Sequence, residues 1–142
     1  MTIAAILQNK GSDVVQVKSG DSMRSAVALL AERRIGCLPV VDGDEVVGIF
    51  SERDVVQQVA SHGVEILDAP VSQVMTSPAL TVTPTMSVLT ALSLMTQRRL
   101  RHLPVIETGK MVGFVSIGDL VKYRIDRIES EASALRDYIQ NV

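Results

Sequence analysis

Leu38-Pro39-Val40-Val41-Asp42, then Val47-Gly48-Ile49-Phe50-Ser51 and Asp54, returns 65 residues further on without a gap as Leu103-Pro104-Val105-Ile106-Glu107, Val112-Gly113-Phe114-Val115-Ser116 and Asp119. One unit has been written twice. A repeated supersecondary unit usually cannot bury its apolar face alone and must pack against its twin. The seam between the copies is therefore the natural place for a ligand. The chain has 142 residues, enough for one compact domain. Each copy, at about 60 residues, is marginal by itself, so the copies are expected to share a core and splitting the chain to unfold both.

Working outward from the duplicated stretch, each copy reads β-α-β-β-α, an α/β (α+β) fold. In the first copy a strand is expected at Val14–Val17. The Gly20-Asp21-Ser22 start signal opens an amphipathic helix at Met23–Arg33, with Met23, Val27, Leu30 and Ala31 on one face. A hairpin of Cys37–Val41 and Glu45–Phe50 turns at Asp42-Gly43-Asp44, and a helix runs from Ser51 to about His62. A crossing segment, Gly63–Pro70, and a helical turn at Val71–Met75 lead to the second copy. There the strand is Leu80–Val82, the helix Ser87–Arg98 and the hairpin His102–Ile106 with Met111–Val115 around Thr108-Gly109. Before all this, Thr2–Gln8 has helical spacing and stops at Lys10-Gly11-Ser12. The last helix opens at Ser116 and carries Leu120, Tyr123, Ile128, Leu135 and Ile139 toward the C-terminus, a surplus stripe that favours a homodimer contact. The expected division is 1–66 with the N-terminal helix, 67–125, and a helical extension at 126–142.

Composition excludes several functions. Aromatic residues make up 3% of the chain, so there is no stacking platform for single-stranded nucleic acid. The net charge of −2 comes from interspersed acids and bases, which gives no footprint for a nucleic-acid polymer or an acidic membrane. The longest apolar run, Ala26–Ala31, is far below the roughly 20 residues of a membrane span, and Thr2–Leu7 lacks the basic leader of a signal peptide. A cytoplasmic protein is expected. The single Cys37 rules out an internal disulfide and a cysteine-rich metal site. Of the two histidines, His62 complements a helix C-terminus, and no metal site is expected. A Ser51-His62-Asp54 triad fails because the helix separates its ends by roughly 15 Å. Arg33-Arg34 and Arg98-Arg99 sit at helix C-termini, where they complement the dipole, and are read as structural, the alternative being that they line a charged rim.

Each copy passes from strand to helix through Ser-x-x-Asp: Ser51-Glu52-Arg53-Asp54 and Ser116-Ile117-Gly118-Asp119. One reading is a capping box. The other is a ribose-phosphate grip, with helix N–H groups facing anionic oxygens and the Asp accepting from two vicinal hydroxyls, charge-assisted bonds worth about 1.5–3 kcal/mol each. Two features favour the grip. Asp stands where the longer Glu reaches back better, and Arg53 lies at the helix end that prefers an anion.

The doubled hairpin followed by Gly-φ-φ-Ser-x-x-Asp and a helix resembles a tandem pair of cystathionine β-synthase (CBS) domains, the Bateman module, from about Lys10 to Tyr123. The resemblance implies two copies about a pseudo-twofold axis and two clefts for AMP, ADP, ATP or NAD(H) and, behind these, S-adenosylmethionine. It also implies a regulatory sensor rather than an enzyme, a flat homodimer, and a regulated partner protein that the sequence does not name. Carried over by motif, one cleft takes Asp54, Ser51 and Arg53, with Met75, Thr76, Ala79 and Leu80 against the adenine and Arg101 at the phosphate. The other takes Asp119, Ser116 and Gly118, with Lys10, Val14 and Val15 along the entering strand, Gly36 opposite and His102 beside the phosphates. Arg53 and Arg101 stand where the second cleft has Gly118 and Gly36, so stronger phosphate binding is expected at Asp54. The rival reading is a constitutive dimerisation scaffold with vestigial clefts; an enzyme of phosphoryl or redox chemistry is a distant third.

Overall fold

The structure is a computed structural model that describes residues 1–11 and 13–141; Ser12, part of the stop signal above, and Val142 lie outside the described residues. The first half runs α1 (Ile3–Lys10), β1 (Val17–Lys18), α2 (Met23–Arg33), β2 (Cys37–Asp42), β3 (Glu45–Ser51) and α3 (Glu52–His62). A 3-10 turn at Val64–Asp68 and the short α4 (Val71–Val74) lead to α5 (Val88–Arg98), β4 (His102–Glu107), β5 (Lys110–Ser116) and α6 (Ile117–Gln140).

The duplication reaches down to single hydrogen bonds. Ser22 caps α2 by accepting from the Ser25 N–H, and Ser87 caps α5 by accepting from the Thr90 N–H. Both helices end on an arginine in the left-handed region, Arg34 at φ 54° and Arg99 at φ 56°. The hairpins carry the same irregularity, between Val40 and Val41 in one and Val105 and Ile106 in the other. In the second hairpin both loop residues, Thr108 and Gly109, take positive φ, as a type I′ turn requires.

The entering strands are shorter than their composition suggests. Val17 pairs in parallel with Val40, and at the equivalent place Val82 makes only an isolated parallel bridge to Val105. The strand expected at Val14–Val17 thus begins at Val17, and the one expected at Leu80–Val82 shrinks to Val82. Val14, Val15, Ala79 and Leu80 are left free to line cavities.

Chain order and packing order also differ. Two apolar clusters form, rather than one shared core. Val71 and Val74 of α4 close the first, around Met23, Ala26, Leu38, Val40 and Phe50. Ile3 and Ile6 of α1, at the other end of the chain, close the second, around Val88, Ala91, Met95, Leu103, Val115 and Leu120. Antiparallel bridges at Thr2–Ser87 and Ser22–Pro70 fix those crossings. Each buried aliphatic contributes about 1.5–3 kcal/mol, so neither half keeps its stability without the segment that crosses to it. The two sheets come together where β3 packs beside β5.

Candidate functional site

At the start of α3 the Ser51 hydroxyl accepts from the Asp54 N–H at 3.3 Å, while Asp54 Oδ2 accepts from the Ser51 N–H at 2.9 Å and from Ser51 Oγ at 3.1 Å. At the start of α6 the same pair of bonds joins Ser116 and Asp119, at 2.9 and 3.1 Å. Both are complete capping boxes. The preference for the grip because Glu reaches back better than Asp loses its force, since Asp closes the box in both copies. The cap does not use up the Asp54 carboxylate, however. A carboxylate offers about four lone-pair positions. Oδ2 fills two of them with Ser51, and Oδ1 takes the Thr76 hydroxyl at 2.9 Å, leaving one position on Oδ1. Room remains for one ribose hydroxyl, not the two vicinal ones of the sequence reading.

Asp54 is 7% exposed, the one buried charged side chain among the described residues. It stands in the wall of a cavity of about 780 Å³ between the two halves. Ser51, Arg53, Thr76, Ala79, Leu80 and Arg101 line this cavity with it. Thr76 is held there by two backbone bonds to Ile49, each 2.9 Å. Met75, also assigned to this cleft, is not in its wall; its side chain turns toward the first apolar cluster, beneath Gly48. Gly48 must be glycine, because a Cβ there would meet Met75 Sδ at 2.6 Å and the Thr76 carbonyl at 2.8 Å.

Several lining residues were not singled out from sequence. Ile49, Pro78 and Leu100 join Ala79 and Leu80 on the apolar side, and Glu52 and Gln57 join the polar side. Arg98 and Arg99, read as solvated dipole partners, also line the cavity, so four arginines with Arg53 and Arg101 surround it. The in-register recurrence of Arg-Arg was the available signal. That only the second pair faces a cavity is a tertiary fact, since Arg33 and Arg34 line neither cleft.

The second cleft is smaller, about 270 Å³, and its wall includes Lys10, Val14, Val15, Gly36, His102 and Ser116 of the expected set, with Asp13, Ile35, Cys37 and Phe114. Gly118 and Asp119 do not line it. At Asp119 the place is taken by Lys10, whose ammonium lies 2.6 Å from Asp119 Oδ2 and 2.7 Å from the Phe114 carbonyl. In the first copy the equivalent carbonyl, of Ile49, takes the Thr76 N–H instead. Burial works to raise the Asp119 pKa, but the bonds from Lys10 and Ser116 together with the Lys10 charge outweigh it and hold the carboxyl below its ordinary value.

Gly36, Cys37 and His102 belong to both walls and form the partition between the clefts. The His102 ring stacks on Phe114 with centroids 5.5 Å apart. Burial, with the Lys10 and Arg101 charges, lowers its pKa against an opposing pull from Asp119. The Cys37 thiol is pushed up to about 12 by burial and by the Asp54 charge, which makes it an inert wall group.

Against known proteins, the family model described as "CBS domain" matches residues 9–61 and again 71–126. The mitochondrial CBS domain-containing protein CBSX3 of Arabidopsis thaliana is 34% identical, over 98% of this chain and 72% of its own. A solved protein with CBS domains from Burkholderia ambifaria is 40% identical, with a TM-score of 0.83 over 89% of this chain and 95% of that one. CBSX2, solved in complex with AMP, is 26% identical, with a TM-score of 0.74 over 88% of this chain and 96% of that one. Among the described residues no helix is long and apolar enough to cross a membrane.

Proposed function

This chain belongs to the CBS-domain family, and we propose that it is a regulatory module that binds an adenosine-containing nucleotide in the Asp54 cleft and passes occupancy to a partner protein. The observation that carries this reading is the 780 Å³ cavity, in which one buried carboxylate, one helix N-terminus and four arginines face a single space. Oδ1 of Asp54 takes a ribose hydroxyl, the first-turn N–H groups of α3 and the arginines take phosphate oxygens, and Ile49, Pro78, Ala79, Leu80 and Leu100 wall the adenine. The relative solved with AMP supports this ligand class. Arginines in that number favour AMP, ADP, ATP or NAD(H) over S-adenosylmethionine, whose sulfonium is cationic. Catalysis is not part of the proposal: the Cys37 thiol is pushed up to about 12, and the buried Asp is engaged in its cap.

The Asp119 cleft is the weaker site, because a ligand there must first displace Lys10 from the carboxylate. A sensor shifts its partner only by the difference in ligand affinity between two states, so occupancy of the larger cleft sets the output. Isothermal titration with AMP, ATP and NADH tests the proposal. Micromolar binding by the native chain is expected, weakened about tenfold, ~1.4 kcal/mol, in Asp54→Asn and little changed in Asp119→Asn. A folded native chain that binds none of the three at millimolar concentration overturns the sensor in favour of a scaffold with vestigial clefts.

A further inference from the structure

From Ile125 to Asn141 every residue is exposed, so α6 leaves the module after Arg124 and its last four turns, roughly 24 Å, stand clear of it. The stripe expected along this helix divides into two faces. Leu120 and Tyr123 pack into the second apolar cluster. Val121, Ile125, Ile128, Leu135 and Ile139, with exposures of 41, 49, 48, 59 and 64%, lie on another. With the exposed Ala132, the second face repeats at alternate steps of four and three residues, the 3.5-residue period of a left-handed coiled coil rather than the 3.6 of a helix packed on its own domain. Ile125, Ala132 and Ile139 fall at a, and Val121, Ile128 and Leu135 at d. Most helical stability in proteins comes from packing an amphipathic face, and nothing else in the described chain covers this one.

We propose that α6 pairs with α6 of a second copy of this chain as a parallel, in-register, two-stranded coiled coil. The flanking charges select both the occupant and the direction. In this register Lys122, Glu129 and Arg136 fall at e, and Arg124 and Glu131 at g. A parallel pair sets each g against the partner's e five residues on, so Arg124 meets Glu129 of the partner subunit and Glu131 meets Arg136 of the partner subunit. Every such contact is between opposite charges, and symmetry doubles it. An antiparallel pair centred on the Val121–Ile139 stripe sets e against e and g against g, bringing Glu129 to Glu129 and Glu131 to Glu131. Ile125 and Ile139 at a with Leu135 at d suit two strands. The pairing does not depend on the nucleotide reading.

Cross-linking and mass measurements on the full chain test it. Ile139→Cys, near the free end, is expected to give a disulfide-linked dimer under mild oxidation, while Asp137→Cys, on the outer face of the helix, is not. Both sites are exposed, and the native Cys37 is buried. In sedimentation equilibrium Glu131→Arg should weaken the dimer about tenfold, and adding Arg136→Glu should restore it. That rescue cannot come from the intrahelical Arg127–Glu131 pair, which the second substitution leaves unrepaired. A monomer with native circular dichroism, absence of the Ile139→Cys cross-link, or equal linking from both cysteine variants overturns the proposal.

Discussion

Lys10→Met removes the ammonium that closes the smaller cleft and puts there the residue that stands at the equivalent place in the other copy, Met75. The lost interactions are the 2.6 Å ion pair to Asp119 and the 2.7 Å bond to the Phe114 carbonyl. The paired side chains are 40% and 29% exposed, so solvent screening holds the ion-pair part to about 0.5–1 kcal/mol. Because the folded pKa of Asp119 is depressed, that part is present above the unfolded value and is lost as pH falls through the folded one. The bond to Phe114 needs no carboxylate and persists in acid. Urea unfolding of both proteins from neutral pH down to about pH 3 separates the two. The native chain should lead by the larger margin at neutral pH, with a melting temperature higher by ~1–4 °C, and the margin should shrink by about 0.5–1 kcal/mol in acid. A margin that stays constant with pH refutes the ion pair as the element that closes this cleft.

Gly48→Ala should cost about 1–3 kcal/mol and weaken nucleotide binding together, because the new methyl strikes the Thr76 backbone that carries the hydroxyl partner of Asp54; urea unfolding and titration read the two effects. Gly113→Ala should cost less, since the atoms nearest its Cβ belong to the Leu7 side chain rather than to backbone. Arg34→Gly and Arg99→Gly should each stabilise the fold by about 0.5–1 kcal/mol by relieving a left-handed residue. Only Arg99→Gly should also weaken ATP binding, because only Arg99 faces the large cavity; equal ATP affinities for the two variants would remove Arg99 from the phosphate site.

The duplication was legible because β-hairpins and amphipathic helices are local: the bounds of α2 match the reading to the residue, and the hairpins and α5 differ only at their ends. What sequence left out depended on chain segments meeting at a distance. Ile3 and Ile6 read as part of the first copy, yet they fill the second cluster, because apolar spacing says that a face is buried and not against what. Val14 and Leu80, read both as strand and, from the resemblance, as cleft residues, line the clefts but pair with no strand, since parallel pairing is confined to Val17 onward in one copy and to Val82 in the other. Arg98 and Arg99 looked like ordinary dipole partners until the halves were brought face to face. For Asp54 and Asp119 the argument from side-chain length fails, because both close their caps, and they differ in what else reaches them: a hydroxyl from Thr76 in one, an ammonium from Lys10 in the other.

On the proposed function, Asp54 holds a ribose hydroxyl inside the larger cleft. The most direct measurement is the affinity of the native chain for AMP against 2′,3′-dideoxy-AMP, which keeps the base and the phosphate and lacks both hydroxyls. A charge-assisted bond worth about 1.5–3 kcal/mol predicts that the dideoxy compound binds at least tenfold more weakly, and that the gap closes in Asp54→Asn. Equal affinities in the native chain would contradict the account.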